Sequence, residues 1–325
     1  MKSTALKLLV IAVLAAVPFM QTNSYWIHVY GVALIGVILA LGLQLLAGMA
    51  GLLSLGQAAF YGIGAYVSAA LTFNFGVPFL IAFAASGAAA ALSSLLLVPI
   101  VRLKGSSLAV ATLGFNIIIY LVLLNEDWAT GGSFGFMNIS APRIFGYEFA
   151  SERDMYFLCL FVAAAVYFAF ERLANSRFGR ALRAMSQDED AARSCGISLN
   201  LYKSKCFLVA AFTAGIAGSL YAHHARYLSP NDFAFDKSIE ILIMVVIGGL
   251  GSLPGAVIGA FIVVLMPEYL RSSGELRLII FGILVVMLVG FSRGGVAGLV
   301  SAAVNRITGP RLAMPGDSLL SKGKR

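Results

Sequence analysis

Long apolar stretches almost free of charge recur along the whole chain, at residues 27–47, 51–72, 79–101, 107–124, 155–170, 207–225, 239–270 and 278–291, with a shorter one at 8–17. A run of about 20 apolar residues crosses ~30 Å of hydrocarbon at ~1.5 Å per residue. So many runs cannot be hidden in one soluble core: hydrophobic residues make up 60% of the 325, charged ones 12%, and mean hydropathy is +0.90. The chain reads as an all-α polytopic membrane protein, because uninterrupted apolar runs satisfy their backbone inside lipid only as helices.

Charge then sets topology. The formal net charge of +8 is gathered in particular connectors and not on one face, so it indicates sidedness and no nucleic-acid partner. The connector 125–154 carries Glu126, Asp127, Glu148, Glu152 and Asp154 against Arg143 and Arg153, while 171–205 carries Arg172, Arg177, Arg180, Arg183, Arg193, Lys203 and Lys205. Cytoplasmic loops are enriched in Lys and Arg, which puts 171–205 inside and 125–154 outside. Working outward, the Arg102/Lys104 turn falls inside, the Gly76 turn outside, and the N-terminus with Lys2 and Lys7 inside. Residues 8–17 read as a retained first span, since no A-x-A cleavage pattern follows, although the later topology is compatible with a signal peptide. Beyond the external loop 226–237, the basic tail 293–325 belongs inside, which requires an odd number of crossings. The break GGLGSLPG at 248–255 supplies either two short passes or a re-entrant hairpin, giving about ten segments with both termini cytoplasmic. The membrane domain is thus residues 1–292, and 293–325 is a cytoplasmic tail.

Small residues favour close helix packing: Gly62 and Gly64 with Ala58, Ala65 and Ala69, the run 88–91, and Gly215/Gly218. Polar residues within spans must find partners or water. Gln44, Ser54, Gln57, Thr112 and Asn116 are of this kind, and Ser54, Gln57, Thr112 and Asn116 are candidates for a translocation path. No Asp, Glu, Lys or Arg lies deep in a clear span, which argues against a proton- or sodium-driven carrier. There is no G-x-x-x-x-G-K-[ST] loop, so the chain is no ATPase; residues 53–57, LSLGQ, resemble an ATPase signature but stand in a span. Cys159, Cys195 and Cys206 lack CxxC spacing, and His28, His223 and His224 fall at outer span edges without ligand spacing, so neither metal nor cofactor is expected.

The insert SRFGRALRAMSQDEDAARSCGI, residues 176–197, interrupts this pattern. Phe178, Leu182 and Met185 make an apolar face, with Arg177, Arg180 and Arg183 on another side. Asp188 is placed to cap a second short helix that has Glu189 and Asp190 in its first turn and ends before Gly196. Anionic lipid could hold a basic helix. The breaks at Gly179 and Gly196 and the acidic second half favour docking into a groove on a cytoplasmic partner.

GMAGLLSLGQAAFYGIGAY, TLGFNIIIYLVLLN with TGGSFGF, the insert, and IEILIMVVIGGLGSLPGAVIGA occur in an order and spacing that resembles the branched-chain amino-acid ABC-transporter permeases, most of all their M-type subunit. The resemblance covers residues 27–289. It implies a non-enzymatic, cofactor-free permease of a bacterial inner-membrane importer, paired with a second permease, two cytoplasmic ATPases and a periplasmic solute-binding protein. It gives Gly179, Arg180, Ala181, Leu182, Arg183, Glu189, Ala191, Ala192 and Gly196 the role of contacting the ATPases. Gln57 stands where many members carry His, and Pro254 where many carry Trp. Relatives in this frame carry branched-chain amino acids, or urea and short amides, so the expected solute is small and neutral or zwitterionic. An ATP-independent carrier or channel is the alternative from another class.

Overall fold

The structure is a computed structural model that describes residues 2–21, 23–103, 105–144 and 146–273, together with positions 279, 280, 282, 283, 295, 296 and 298. The expected last span, 278–291, and the tail, 293–325, lie outside the described residues apart from those positions.

Among the described residues up to 273, twelve α-helices follow in order: α1 (Lys2–Met20), α2 (Ser24–Leu43), α3 (Gln57–Phe75), α4 (Phe79–Ser93), α5 (Ser106–Asn125), α6 (Asp127–Thr130), α7 (Glu152–Asn175), α8 (Arg177–Gln187), α9 (Glu189–Ser194), α10 (Leu199–Ala225), α11 (Phe235–Gly248) and α12 (Leu253–Tyr269). Five helical stretches among the described residues are long and apolar enough to cross a membrane: 24–49, 79–97, 106–125, 152–175 and 199–225. They form two layers. The stretches built on α2 and α10 are 83% and 78% buried within the chain itself, whereas those of α4, α5 and α7 are only 33–39% buried. A helix apolar on every side is stable in water only when covered. Here α2 and α10 are covered by protein, and the outer three turn apolar faces outward.

The centre closes where side chains vanish. A Cβ at Gly64 would stand 2.3 Å from the Gly215 carbonyl oxygen, and one at Gly218 would stand 2.2 Å from that of Tyr61. α3 and α10 therefore meet backbone to backbone, as the small-residue pattern predicts.

One departure from the sequence expectation, and one point it left open, matter for the site. The stretch 51–72 does not begin as helix. α2 widens into a π-helical turn over Gln44–Met49, Gly51 takes φ +68°, and the chain stays non-helical until α3 starts at Gln57. π-turns of this kind recur at functional positions. The open point was 239–270, expected as two short passes or a re-entrant hairpin, and it forms a short helical pair, α11 and α12. α11 has 14 residues, roughly 21 Å of rise, and the 3₁₀ turn before it, Pro230–Phe233, buries Phe233 against Tyr61, Tyr66 and Tyr221. α11 thus starts from within the bundle and is shorter than a bilayer crossing.

At one end of the bundle the connectors join. β1 (Phe136–Met137) pairs antiparallel with β4 (Tyr227–Leu228), and β2 (Arg143–Ile144) with β3 (Tyr147–Glu148). The Ile139 amide donates to the Arg226 carbonyl, and Arg226 Nη2 donates to the Ala150 carbonyl at 2.6 Å. The loops 125–154 and 226–237, both expected outside, therefore make one cap. At the opposite end lie the C-terminus of α7, α8, α9 and the start of α10.

Candidate coupling surface and polar path

The α7–α8 junction is as tight as a helical turn allows. Ser176 caps α8, its hydroxyl accepting from the Gly179 amide at 3.3 Å. Gly179 is required there, since a Cβ would fall 2.4 Å from the Ala174 carbonyl oxygen. α8 lays Ala181, Leu182 and Met185 into the bundle, and Phe178 stacks on Tyr202 of α10, ring centroids 5.6 Å apart and planes at 17°. The Asp188 carboxylate then caps α9, accepting from the Asp190 and Ala191 amides at 2.8 and 3.0 Å. Gly196 closes the element at φ +82°. The two-helix form expected from the sequence is what the chain adopts, but Gly179, expected as a break, lies within the first turn of α8.

Eight of the nine residues expected to contact a partner divide into two groups. Arg180, Arg183, Ala191 and Gly196 are exposed, and Gly179, Ala181, Leu182 and Ala192 are buried. The exposed group is free to meet another molecule, whereas the buried group holds the helices on the bundle. Glu189 differs from both. Its carboxylate meets Lys203 Nζ at 2.7 Å, with the lysine side chain only 3% exposed and the glutamate 23%. The pair ties α9 to the foot of α10. No periodicity links positions 189 and 203, so the sequence hides it; the one clue is a lysine inside a helix whose neighbouring turns are apolar.

The four path candidates are all buried, but they do not converge on one point. Thr112 reaches the non-helical segment, its Oγ1 accepting from the Leu55 amide at 2.9 Å while donating to the Ala109 carbonyl at 3.0 Å. Ser54 Oγ accepts from the Gly56 amide at 3.3 Å. These two hold the break before α3. Asn116 lies one turn beyond Thr112 on α5, and neither atom of its amide has a partner. Gln57 looks the other way, Nε2 donating to the Ala210 carbonyl of α10 at 3.3 Å with Oε1 unpartnered. Gln44 repeats the pattern, donating to the Gly249 carbonyl at 3.1 Å and leaving its Oε1 unpartnered. Ser238 of α11, not singled out in the sequence, accepts from the Ala58 amide at 3.1 Å and so serves the free N-terminus of α3. Buried polar atoms are normally satisfied. Their clustering about the breaks at 50–56 and 249–252 marks a polar seam inside an apolar bundle.

On the cap side, Asp232 stands in the 3₁₀ turn Pro230–Phe233. Its carboxylate accepts from the Ser229 amide at 3.1 Å in a reciprocal cap. Burial pushes this carboxyl up, against the downward pull of the Ser229 bond, Lys237 and Tyr221.

The histidines stand at the cap-side ends of α2 and α10, the span edges where the sequence places them. His223 and His224 are buried, His223 Nδ1 facing the Ser140 carbonyl at 2.9 Å, and His28 stacks on His224. His28, Glu152 and His224 bring one ligand atom each to within 4.8 Å of one another. Spacing along the chain could not reveal this, since the three come from three different helices.

The family model described as "Branched-chain amino acid transport system / permease component" matches residues 25–290. The high-affinity branched-chain amino acid transport system permease protein LivM of Salmonella typhimurium is 35% identical over 305 residues, covering 86% of this chain and 71% of that protein; LivM of Escherichia coli K12 gives the same figures. The high-affinity branched-chain amino acid transport system permease protein LivH of Salmonella typhimurium is 30% identical over 140 residues, 43% of this chain and 42% of its own. No solved structure matches the chain.

Proposed function

We infer the role of this chain from the family to which it belongs, the permease components of branched-chain amino-acid transport systems, and propose that it is one membrane half of an ATP-driven importer. Its companion is a second permease of related sequence, for which the likeness to both LivM and LivH is the support. The solute is a branched-chain amino acid, the cargo named for those relatives. Two cytoplasmic ATPases drive the cycle, and a periplasmic binding protein delivers solute to the cap formed by 125–154 and 226–237.

One observation carries the coupling role: α8 buries Ala181, Leu182 and Met185 and leaves Arg180 and Arg183 exposed. A helix held by its apolar side and presenting arginines outward is built to be pushed. Closure of the ATPases on ATP moves α8 and α9. The Glu189–Lys203 pair and the Phe178–Tyr202 stack pass that motion to α10, and the bundle exchanges which side of the polar seam is open. The basic connector 171–205 and the tail 293–325 face the cytoplasm in this scheme, in the inner membrane of a bacterium, and the full count is about ten segments.

The test is uptake by proteoliposomes holding the full transporter. The double variant Arg180→Glu, Arg183→Glu is expected to insert normally and lose ATP-stimulated uptake. Uptake at the wild-type rate would remove the coupling role. Gradient-driven flux through this chain without ATPases would replace the importer with a carrier or channel, and preference for urea or short amides over leucine would move the solute assignment within the same architecture.

A further inference from the structure

We propose that the cap-side ends of α2, α7 and α10 form a site for a borderline transition metal, Zn²⁺ above all, with His28, Glu152 and His224 as its protein ligands. Each helix contributes one ligand close to its end: His28 lies in the second turn of α2, Glu152 opens α7, and His224 is the penultimate residue of α10.

The protonation pattern follows from the hydrogen bonds. His224 Nε2 lies 3.0 Å from the His28 carbonyl oxygen. A carbonyl only accepts, so Nε2 carries the hydrogen. Nδ1 of the same ring then presents a bare lone pair, and it is buried with no partner while the residue is 3% exposed. Metal-bound histidines show this arrangement as a rule: one ring nitrogen donates to a carbonyl or carboxylate, fixing the tautomer and ring orientation, and the other faces the ion. Space for the ring is provided by Gly31, where a Cβ would stand 2.6 Å from His224 Cε1 and Nε2.

His28 and Glu152 complete the set. His28 Nδ1 is 3.2 Å from Glu152 Oε2, and both side chains are 35% exposed, so an ion can reach them from solvent. The aromatic group of Tyr25, Trp26 and Tyr269, with Trp26 and Tyr269 stacked at 4.6 Å, marks this level as a membrane interface. The neighbouring cation, Arg226, directs its guanidinium to the Ala150 carbonyl. A plain ion pair between His28 and Glu152 would explain those two residues. It leaves the buried Nδ1 of His224 without a purpose.

Donor chemistry selects the ion. Two imidazoles and one carboxylate suit Zn²⁺, which takes such triads at about 2.0–2.2 Å with a fourth position for water, whereas Mg²⁺ and Ca²⁺ seek oxygen shells. Tetrahedral binding needs ligand atoms about 3.3 Å apart. The His28–Glu152 pair already meets this. The rings of His28 and His224, now parallel within 9° with centroids 4.2 Å apart, must splay, and the half-exposed His28 is the one able to turn. A bound ion would pin three helices together on the cap side. If the chain is the transporter proposed above, that clamp holds the bundle in one state and slows uptake.

Full-length protein in nanodiscs, prepared without a histidine tag and stripped with chelator, is titrated with ZnCl₂ by calorimetry. One Zn²⁺ per chain is expected, with at least tenfold weaker binding in His28→Ala and Glu152→Gln and the same binding in Cys195→Ser, which removes the exposed thiol. Co²⁺ should give the intense visible absorption of a four-coordinate ion in wild type and lose it in the two variants. His28 is partly exposed, so its replacement folds even where His224→Ala does not. Failure of the wild type to bind, affinity unchanged in His28→Ala and Glu152→Gln, or loss of binding in Cys195→Ser overturns the site. Zn²⁺ that binds at this site without slowing uptake overturns the clamp alone, and a protein that binds Zn²⁺ but shows no ATP-driven uptake places the failure in the importer reading.

Discussion

The α8–α9 element and the polar seam are both interruptions of an apolar bundle, and they are held in opposite ways. α8 and α9 have every cap filled, by Ser176 and Asp188, and their apolar sides are buried. The seam at 50–56 and 249–252 is held by isolated hydroxyls and amides, and leaves Gln44 Oε1, Gln57 Oε1 and both amide atoms of Asn116 unpartnered. A satisfied element keeps one shape and can transmit a displacement. An unsatisfied one keeps free hydrogen-bonding groups inside the bundle, at a cost in stability. The first should therefore break under substitution, and parts of the second should tolerate or even gain from it.

The sharpest way to test the contrast is Glu189→Ala. It strands a lysine ammonium that is almost wholly buried, and removing one partner of a buried pair costs about 3–5 kcal/mol. Thermal unfolding in detergent should show a large drop in Tm. The double variant Glu189→Leu, Lys203→Met should recover most of it, because replacing both charges by apolar groups is often close to neutral. Recovery of stability without recovery of uptake would assign the pair a transmitting role beyond its structural one.

Next in size is Gly179→Ala, where the added methyl meets the backbone carbonyl of Ala174 and should cost about 1–3 kcal/mol. At Gly196 the space is open and only the positive φ opposes a side chain, so Gly196→Ala should cost about 1–2 kcal/mol. A smaller unfolding shift for Gly179→Ala than for Gly196→Ala would contradict the tight junction described for α7 and α8.

For the seam the expected sign reverses. Asn116→Leu removes two buried atoms that have no partner, so stability should hold or rise by about 1 kcal/mol while uptake falls. Thr112→Val, by contrast, deprives the Leu55 amide of its acceptor and should cost about 1 kcal/mol. A stability loss in Asn116→Leu as large as in Thr112→Val would erase the distinction between the satisfied and unsatisfied halves of the seam.

The smallest effect is at Asp232. Its pKa in the fold lies above the ordinary 3.8, chiefly through burial. A raised carboxyl pKa means the folded chain holds the proton more tightly than the unfolded one. The stability this brings is complete below the unfolded pKa and is lost as pH rises through the folded value. Asp232→Asn keeps an oxygen to accept from Ser229 and should flatten that part of the pH–stability curve; an unchanged curve would show that the carboxyl is not desolvated as described.

Legibility in the sequence follows the same division. The amphipathic period of residues 178–185, the cap at Asp188 and the small-residue spacing within α3 and within α10 could be read because each rests on neighbours within one or two turns, whereas the meeting of Gly64 with Gly215 joins segments 151 positions apart. The membrane class and the family could be read because long apolar runs and four ordered motifs are patterns of the whole chain. The start of α3 at Gln57 could not: a stretch of Leu, Gly and Ser is equally apolar whether wound or not, and the Thr112 hydroxyl that accepts from the Leu55 amide of the unwound segment stands more than fifty positions away. The Glu189–Lys203 pair and the meeting of His28, Glu152 and His224 are also contacts between distant segments, and no local periodicity announces them.

The backbone contact between α3 and α10 has a mechanical consequence. Where two helices are separated by side chains, rotamer changes let one slide past the other. At Gly64, Gly215 and Gly218 there are no rotamers to change. The two helices must then travel as a single strut, and any rocking of the molecule has to be taken up elsewhere: by the π-helical turn at the end of α2, by the non-helical residues that follow it, and by the short bend between α11 and α12. The parts least able to yield sit at the middle, and the joints are arranged around them.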